Sequence, residues 1–216
     1  MNVRDYVNRR RFVGAAAVTM TALSGGRAFG RDAGGSSGVP FDRFLTDLPG
    51  PESTRRGWYL RYQKAEAYAR QCLGKWEMGK LEVVALSPDK TMWSPDGTLN
   101  VTKESLADGA LYHELFHPIL HNSPFRLKAD RFRIKYGLYI ECLCNAFEYF
   151  MEVQIGPRGN WIARMAKWRS KSWAQILAMS TDLDYDMTYG LPALEFIRSC
   201  RDFTAFKAML VDLNSK

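Results

Sequence analysis

The stretch YIECLCNAFEYFMEV, residues 139–153, restricts the fold more than any other. Its polar residues Glu141, Asn145, Glu148 and Glu152 fall at offsets 0, 4, 7 and 11. On a helix that spacing makes one narrow stripe, and Ile140, Leu143, Phe147, Phe150 and Met151 cover the other faces. A helix apolar on most sides belongs inside the protein, so the rest of the chain must wrap it. Carboxylates on such a helix need a cation or strong partners, because an unpaired buried charge is costly. The alternative is a solvated polar edge on a half-buried helix. For Glu152, near the helix end, the solvated edge is the expectation.

A source of cationic partners lies just upstream. YHELFHPILH, residues 112–121, contains all three histidines of the chain: His113, His117 and His121. His113-Glu114-Leu115-Phe116-His117 matches H-E-x-x-H. Residues four apart lie on one helix face, so two imidazoles can bind one zinc ion. Glu114 then lies near the open coordination position, where it can act as general base. Pro118 removes one helical hydrogen bond directly after His117. His121 stands roughly 12 Å along a straight helix from His113. It is expected to line a cleft or cap the helix rather than to bind the ion.

HELFH with Glu141 and Asn145 downstream resembles the gluzincin zinc metallopeptidases. In that family a second helix bearing E-x-x-x-D, or a near variant, follows H-E-x-x-H. The resemblance implies a zincin-like α+β fold and zinc held by His113, His117 and Glu141. It implies that Asn145, standing where the family often has Asp, orients His113. It also implies amide-bond hydrolysis by zinc-activated water, with Glu114 as general base. Glu148 competes with Glu141 for third ligand, and Cys144 is a further candidate. TLNVT (98–102) stands where the family places an edge strand, to which a peptide substrate can add. Tyr189 is the candidate for stabilising the oxyanion, with Tyr185 beside it and an ordinary core role open to both. The resemblance spans about residues 81–213, but its specific part is five positions: His113, Glu114, His117, Glu141 and Asn145.

The N-terminus points to export. Residues 1–30 carry Arg9-Arg10-Arg11-Phe12-Val13, an apolar run of about twelve residues and then small residues. This layout resembles a twin-arginine signal, and the run is short of the ~20 residues that span a bilayer. The expected location is therefore periplasmic or secreted, in a bacterium, with no stable membrane span after cleavage. Residues 1–30 hold five arginines against Asp5, which leaves only +3 of the net +7 charge on the rest. So mild an excess implies no nucleic-acid partner. The expected partner is a peptide or protein substrate, cell-wall peptide included.

Residues 31–50 read as a flexible lead-in and 51–216 as a single metallopeptidase domain. Helices are predicted over 54–76, 105–120, 131–155, 161–169, 172–179, 186–200 and 204–213. Strands are predicted at 81–86, 91–93 and 98–102, so a small N-terminal sheet precedes a mostly helical half. Cys142 and Cys144 point in different directions on their helix and should not pair with each other. The tryptophans read as packing, with Trp93 or Trp161 available to a groove. Two further readings stand beside the hydrolase. One is a catalytically inactive metallopeptidase-like binding module of the cell envelope. The other is a plain helical protein, which leaves the polar stripe unexplained.

Overall fold

The structure, a computed structural model, describes residues 38–73, 78–121, 136–156, 159–179 and 190–215. Helix α1 (Glu52–Leu73) starts directly after Pro51, with an acid in its first turn to meet the helix dipole. It buries Tyr62, Ala65, Ala69 and Cys72 along one face, with Trp58 and Tyr68 half-buried against the core. Strands β1 (Val83–Leu86), β2 (Met92–Trp93) and β3 (Thr98–Val101) make one small sheet. Its order is β1-β3-β2, with β1 parallel to β3 (Val83↔Thr98 through Leu86↔Val101) and β2 antiparallel (Met92↔Asn100, Trp93↔Leu99). TLNVT is thus the middle strand, paired on both sides. The expectation that it forms the edge is wrong, and the edge beside the histidine helix is β2.

The chain before α1 also departs from expectation. Val39, Phe44 and Leu45 are buried, Phe44 bridges to Val84, and the Leu45 amide donates to the Val84 carbonyl at 2.6 Å. Part of the predicted lead-in therefore covers the outer edge of β1. Gly/Ser content upstream hid three apolar side chains that the core needs.

The predicted 105–120 helix is two helices. Helix α2 (Lys103–Ala107) opens on a capping box between Thr102 and Ser105. It stops at Asp108, and α3 (Ala110–Leu120) begins after Gly109, whose φ is +81°. A Cβ there would run into the Glu152 carboxylate, so both the backbone angle and the space require glycine. Pro118 sits within α3 without ending it, and its carbonyl accepts from the Gly79 amide at 2.6 Å.

The stripe helix is α4 (Tyr136–Ile155), followed by α5 (Asn160–Trp168), α6 (Trp173–Met179), α7 (Leu191–Ser199) and α8 (Phe203–Ser215). α3 and α4 pack together, and Phe116 stacks on Phe147 at 4.2 Å with rings 5° from parallel. α1, α7 and α8 close around this pair. The fold is mixed α+β, mostly helical, with one three-stranded sheet.

Candidate functional site

The α3–α4 contact brings the two sequence motifs face to face. His113 and His117 lie one turn apart on α3, with ring centroids 5.1 Å apart. Glu141, from the first turns of α4, reaches both. Its Oε2 is 3.1 Å from His113 Nε2 and its Oε1 is 3.5 Å from His117 Nε2. Donor atoms around one tetrahedral zinc with bonds of ~2.0–2.1 Å lie about 3.3 Å apart, so these spacings suit a shared ion. Glu141 also forms the open side of the cluster. Its side chain is 35% exposed, against 14% for His113 and 18% for His117.

The far nitrogen of His113 has its own acid. Nδ1 faces Glu148 Oε2 at 3.5 Å. Asn145 was expected to orient His113; it is buried on α4, but no hydrogen bond between them is found among the described residues. Glu148 stands there because it lies two turns beyond Glu141 on the same stripe, and its longer side chain spans the gap to the ring. One imidazole nitrogen towards the ion position and the other towards a carboxylate is the arrangement that fixes a ligand histidine.

Cys144 completes the floor. It lies three residues after Glu141 and is fully buried. His113, His117 and Cys144 each offer a donor atom, and these atoms lie within 4.8 Å of one another. No disulfide joins the four cysteines, so Cys142 and Cys144 do not pair with each other.

Glu114 meets the sheet. The Ser94 amide donates to the Thr98 carbonyl, so the neighbouring Trp93↔Leu99 pair is a non-hydrogen-bonded one. The Trp93 amide therefore points away from β3, at the free edge, and donates to Glu114 Oε2 at 2.8 Å. The same carboxylate oxygen lies 3.9 Å from His117 Nε2. His121 caps the end of α3 and sets its ring edge-on to Trp93 at 5.0 Å, away from the other two imidazoles.

Electrostatics follow from this crowding. Burial acts to lower His113, but hydrogen bonds to Glu141 and Glu148 outweigh it and raise the imidazole to about 10. Burial, reinforced by the charge on His113, pushes His117 down to about 4. Burial acts to raise Glu141, but the two histidines hold it below the ordinary carboxylate range. Burial raises Glu114. Two imidazoles thus face Glu114, Glu141 and Glu148, and no Lys or Arg pairs with these acids among the described residues. Nitrogen, oxygen and sulfur donors around a deficit of positive charge are a chemical fit for a divalent cation such as zinc.

Below this cluster the stripe ends on Glu152, and the expectation of a solvated edge fails there. Glu152 is 0% exposed. Its Oε2 accepts from the Gly159 amide at 2.8 Å, while Oε1 has no hydrogen-bond partner among the described residues. Burial and then the negative charge of Glu148 push its carboxyl up to about 8. Gly159, beyond the end of α4, lies against the carboxylate, so distance from the helix centre did not mean access to water.

Tyr185 and Tyr189 lie outside the described residues, as do residues 1–37, where an export signal is expected; nor is the Trp161 side chain described. Sequence reasoning missed the Trp93 amide, because a backbone donor has no residue signature. It also missed Gly109, for which Asp108-Gly109 inside a helical pattern was the available signal. No protein-family model, curated protein or solved structure matches the chain. Fold and site define the class only coarsely: a mixed α+β protein with a half-buried cluster of His, carboxylate and thiol groups.

Proposed function

We propose that the protein is a zinc-dependent hydrolase of zincin-like type, a peptidase acting on amide bonds outside the cytoplasm. The observation that carries this reading is the convergence of Glu141 on the Nε2 atoms of both His113 and His117. Those three residues would hold the ion, and Glu148 would fix the His113 ring. A bound zinc supplies Lewis acidity that polarises a carbonyl and makes a nearby water more acidic.

The chain's own groups do the remaining work. Glu114 takes the proton from the attacking water and returns it to the leaving amine. Burial raises its carboxyl above the ordinary value, the direction that suits a group that must both accept and release a proton. The edge of the sheet at β2 lies directly beside Glu114, which takes up its outward Trp93 amide. The arginine-rich, apolar N-terminus supports an export signal, and no described helix is long and apolar enough to cross a membrane.

Metal analysis of the purified chain tests the reading. About one zinc per chain is expected in the wild type and in Glu114→Gln, with little or none in His117→Ala or Glu141→Ala. Peptide hydrolysis should vanish in Glu114→Gln. Zinc without any hydrolysis across a broad peptide and cell-wall substrate screen would favour a binding module. Failure to take up zinc would end the reading.

A further inference from the structure

We propose that Cys144 is itself a ligand of the metal site, so that His113, His117, Glu141 and Cys144 form a four-donor set that holds the resting site closed. The proposal rests on the metal-site reading above and adds its regulation.

Geometry carries it. Donor atoms of His113, His117 and Cys144 lie within 4.8 Å of one another. Three atoms so spaced share a point within about 2.8 Å of each, and shifts of under ~1 Å bring them to zinc–nitrogen and zinc–sulfur bonding distance. Glu141 already touches both imidazoles from the open side. Cys144 comes from the floor, three residues along the same helix, where water does not reach. The two α4 donors therefore approach the histidine pair from its exposed and its buried sides.

The consequence is chemical. Sites with three protein ligands keep a position for substrate or water, whereas four protein ligands close the shell. A thiolate also shifts preference towards soft, thiophilic ions. On binding, the sulfur–proton bond breaks, the sulfur–metal bond forms and the proton goes to solvent. Opening the site reverses that exchange, with Cys144 leaving as the neutral thiol. Cys144 would thus act as an internal latch on the position that hydrolysis needs.

Cobalt(II) loaded into the full-length chain is the test, because a thiolate bound to cobalt gives an intense near-ultraviolet charge-transfer band. The expected result is one cobalt per wild-type chain with that band. Cys144→Ala should keep the cobalt and its weak visible bands but lose the charge-transfer band. A variant with Cys72→Ala, Cys142→Ala and Cys200→Ala should keep the band, which decides the matter even if Cys144→Ala fails to fold. Cobalt bound to the wild type without the band overturns the proposal and leaves the hydrolase reading standing. A band that survives in Cys144→Ala also overturns it. Should cobalt not bind the wild type, both readings fall.

Discussion

The amide of Trp93 donates to Glu114 Oε2 at 2.8 Å, joining the free edge of the sheet to the acid between the two histidines. The bond holds the Glu114 side chain by a backbone group that no substitution on β2 except proline can remove. It makes Glu114 a structural acceptor as well as the proposed base, and the two roles separate by mutation. Glu114→Gln keeps an oxygen for the Trp93 amide and should change stability by less than about 1 kcal/mol. Glu114→Ala leaves that half-buried donor without its partner and should cost about 1–1.5 kcal/mol. Urea unfolding of both variants checks the order. Equal losses would mean that the Trp93 bond contributes nothing.

Among the described glycines, Gly109 is the position least tolerant of a methyl group. Its φ of +81° disfavours any Cβ, and the Glu152 carboxylate occupies the space a Cβ would take. Gly109→Ala is expected to lose about 2–4 kcal/mol, part from the left-handed backbone and part from displacing Glu152. Gly156 has the same φ with nothing within 4 Å of its virtual Cβ, so Gly156→Ala should cost only the backbone share of about 1–2 kcal/mol. Thermal unfolding of the pair separates strain from collision.

The α3–α4 pairing explains how much could be read in advance. Whereas α3 was read only as part of one longer helix, 105–120, periodicity predicted α4 and its apolar faces, because a stripe at offsets 0, 4, 7 and 11 has one geometric solution. It put Glu141 on the face that meets the histidines. What it could not supply was the partner across the gap. Asn145 and Glu148 share that face, and only the distance between helices decides which reaches His113 Nδ1. The β3 error has the same root. Residues 98–102 look like a strand at an edge or in the middle, since pairing depends on where residues 83–86 and 92–93 lie. Glu152 was misjudged because its cover comes from Gly159, beyond the helix.

Glu152 predicts a pH dependence whose sign is opposite to that of a salt-bridged acid. Its carboxyl is raised from 4.5 to about 8, by burial first and the charge of Glu148 second. Between those values the folded chain holds a proton that the unfolded chain has released. Stability from this group is therefore complete below about pH 4.5 and erodes as pH rises towards 8, by at most ~1.4 kcal/mol per pH unit. Glu152→Gln keeps an acceptor for the Gly159 amide and carries no charge. Compared in chelator-containing buffer, the variant should match the wild type near pH 4.5 and exceed it increasingly up to about pH 8. A gap that shrinks with rising pH would contradict the assignment.

The three histidines of α3 divide into two and one. His113 and His117 face Glu141, whereas His121 caps the helix and packs edge-on against Trp93 at 5.0 Å. Gly79 permits that packing, since a Cβ there would sit 3.1 Å from the Trp93 ring and 3.2 Å from the His121 Cβ. His121→Ala is accordingly expected to leave one metal ion per chain, because no donor of the cluster is lost. It should cost roughly 0.5–1.5 kcal/mol through the lost ring contact. His117→Ala should do the reverse, abolishing metal uptake while sparing the contact with Trp93. Metal stoichiometry and unfolding midpoints on the two variants give a crossed pattern if the division is right. Loss of the ion in His121→Ala would mean that the end of α3 bends His121 into the cluster when metal binds, and the ligand set would have to be redrawn around it.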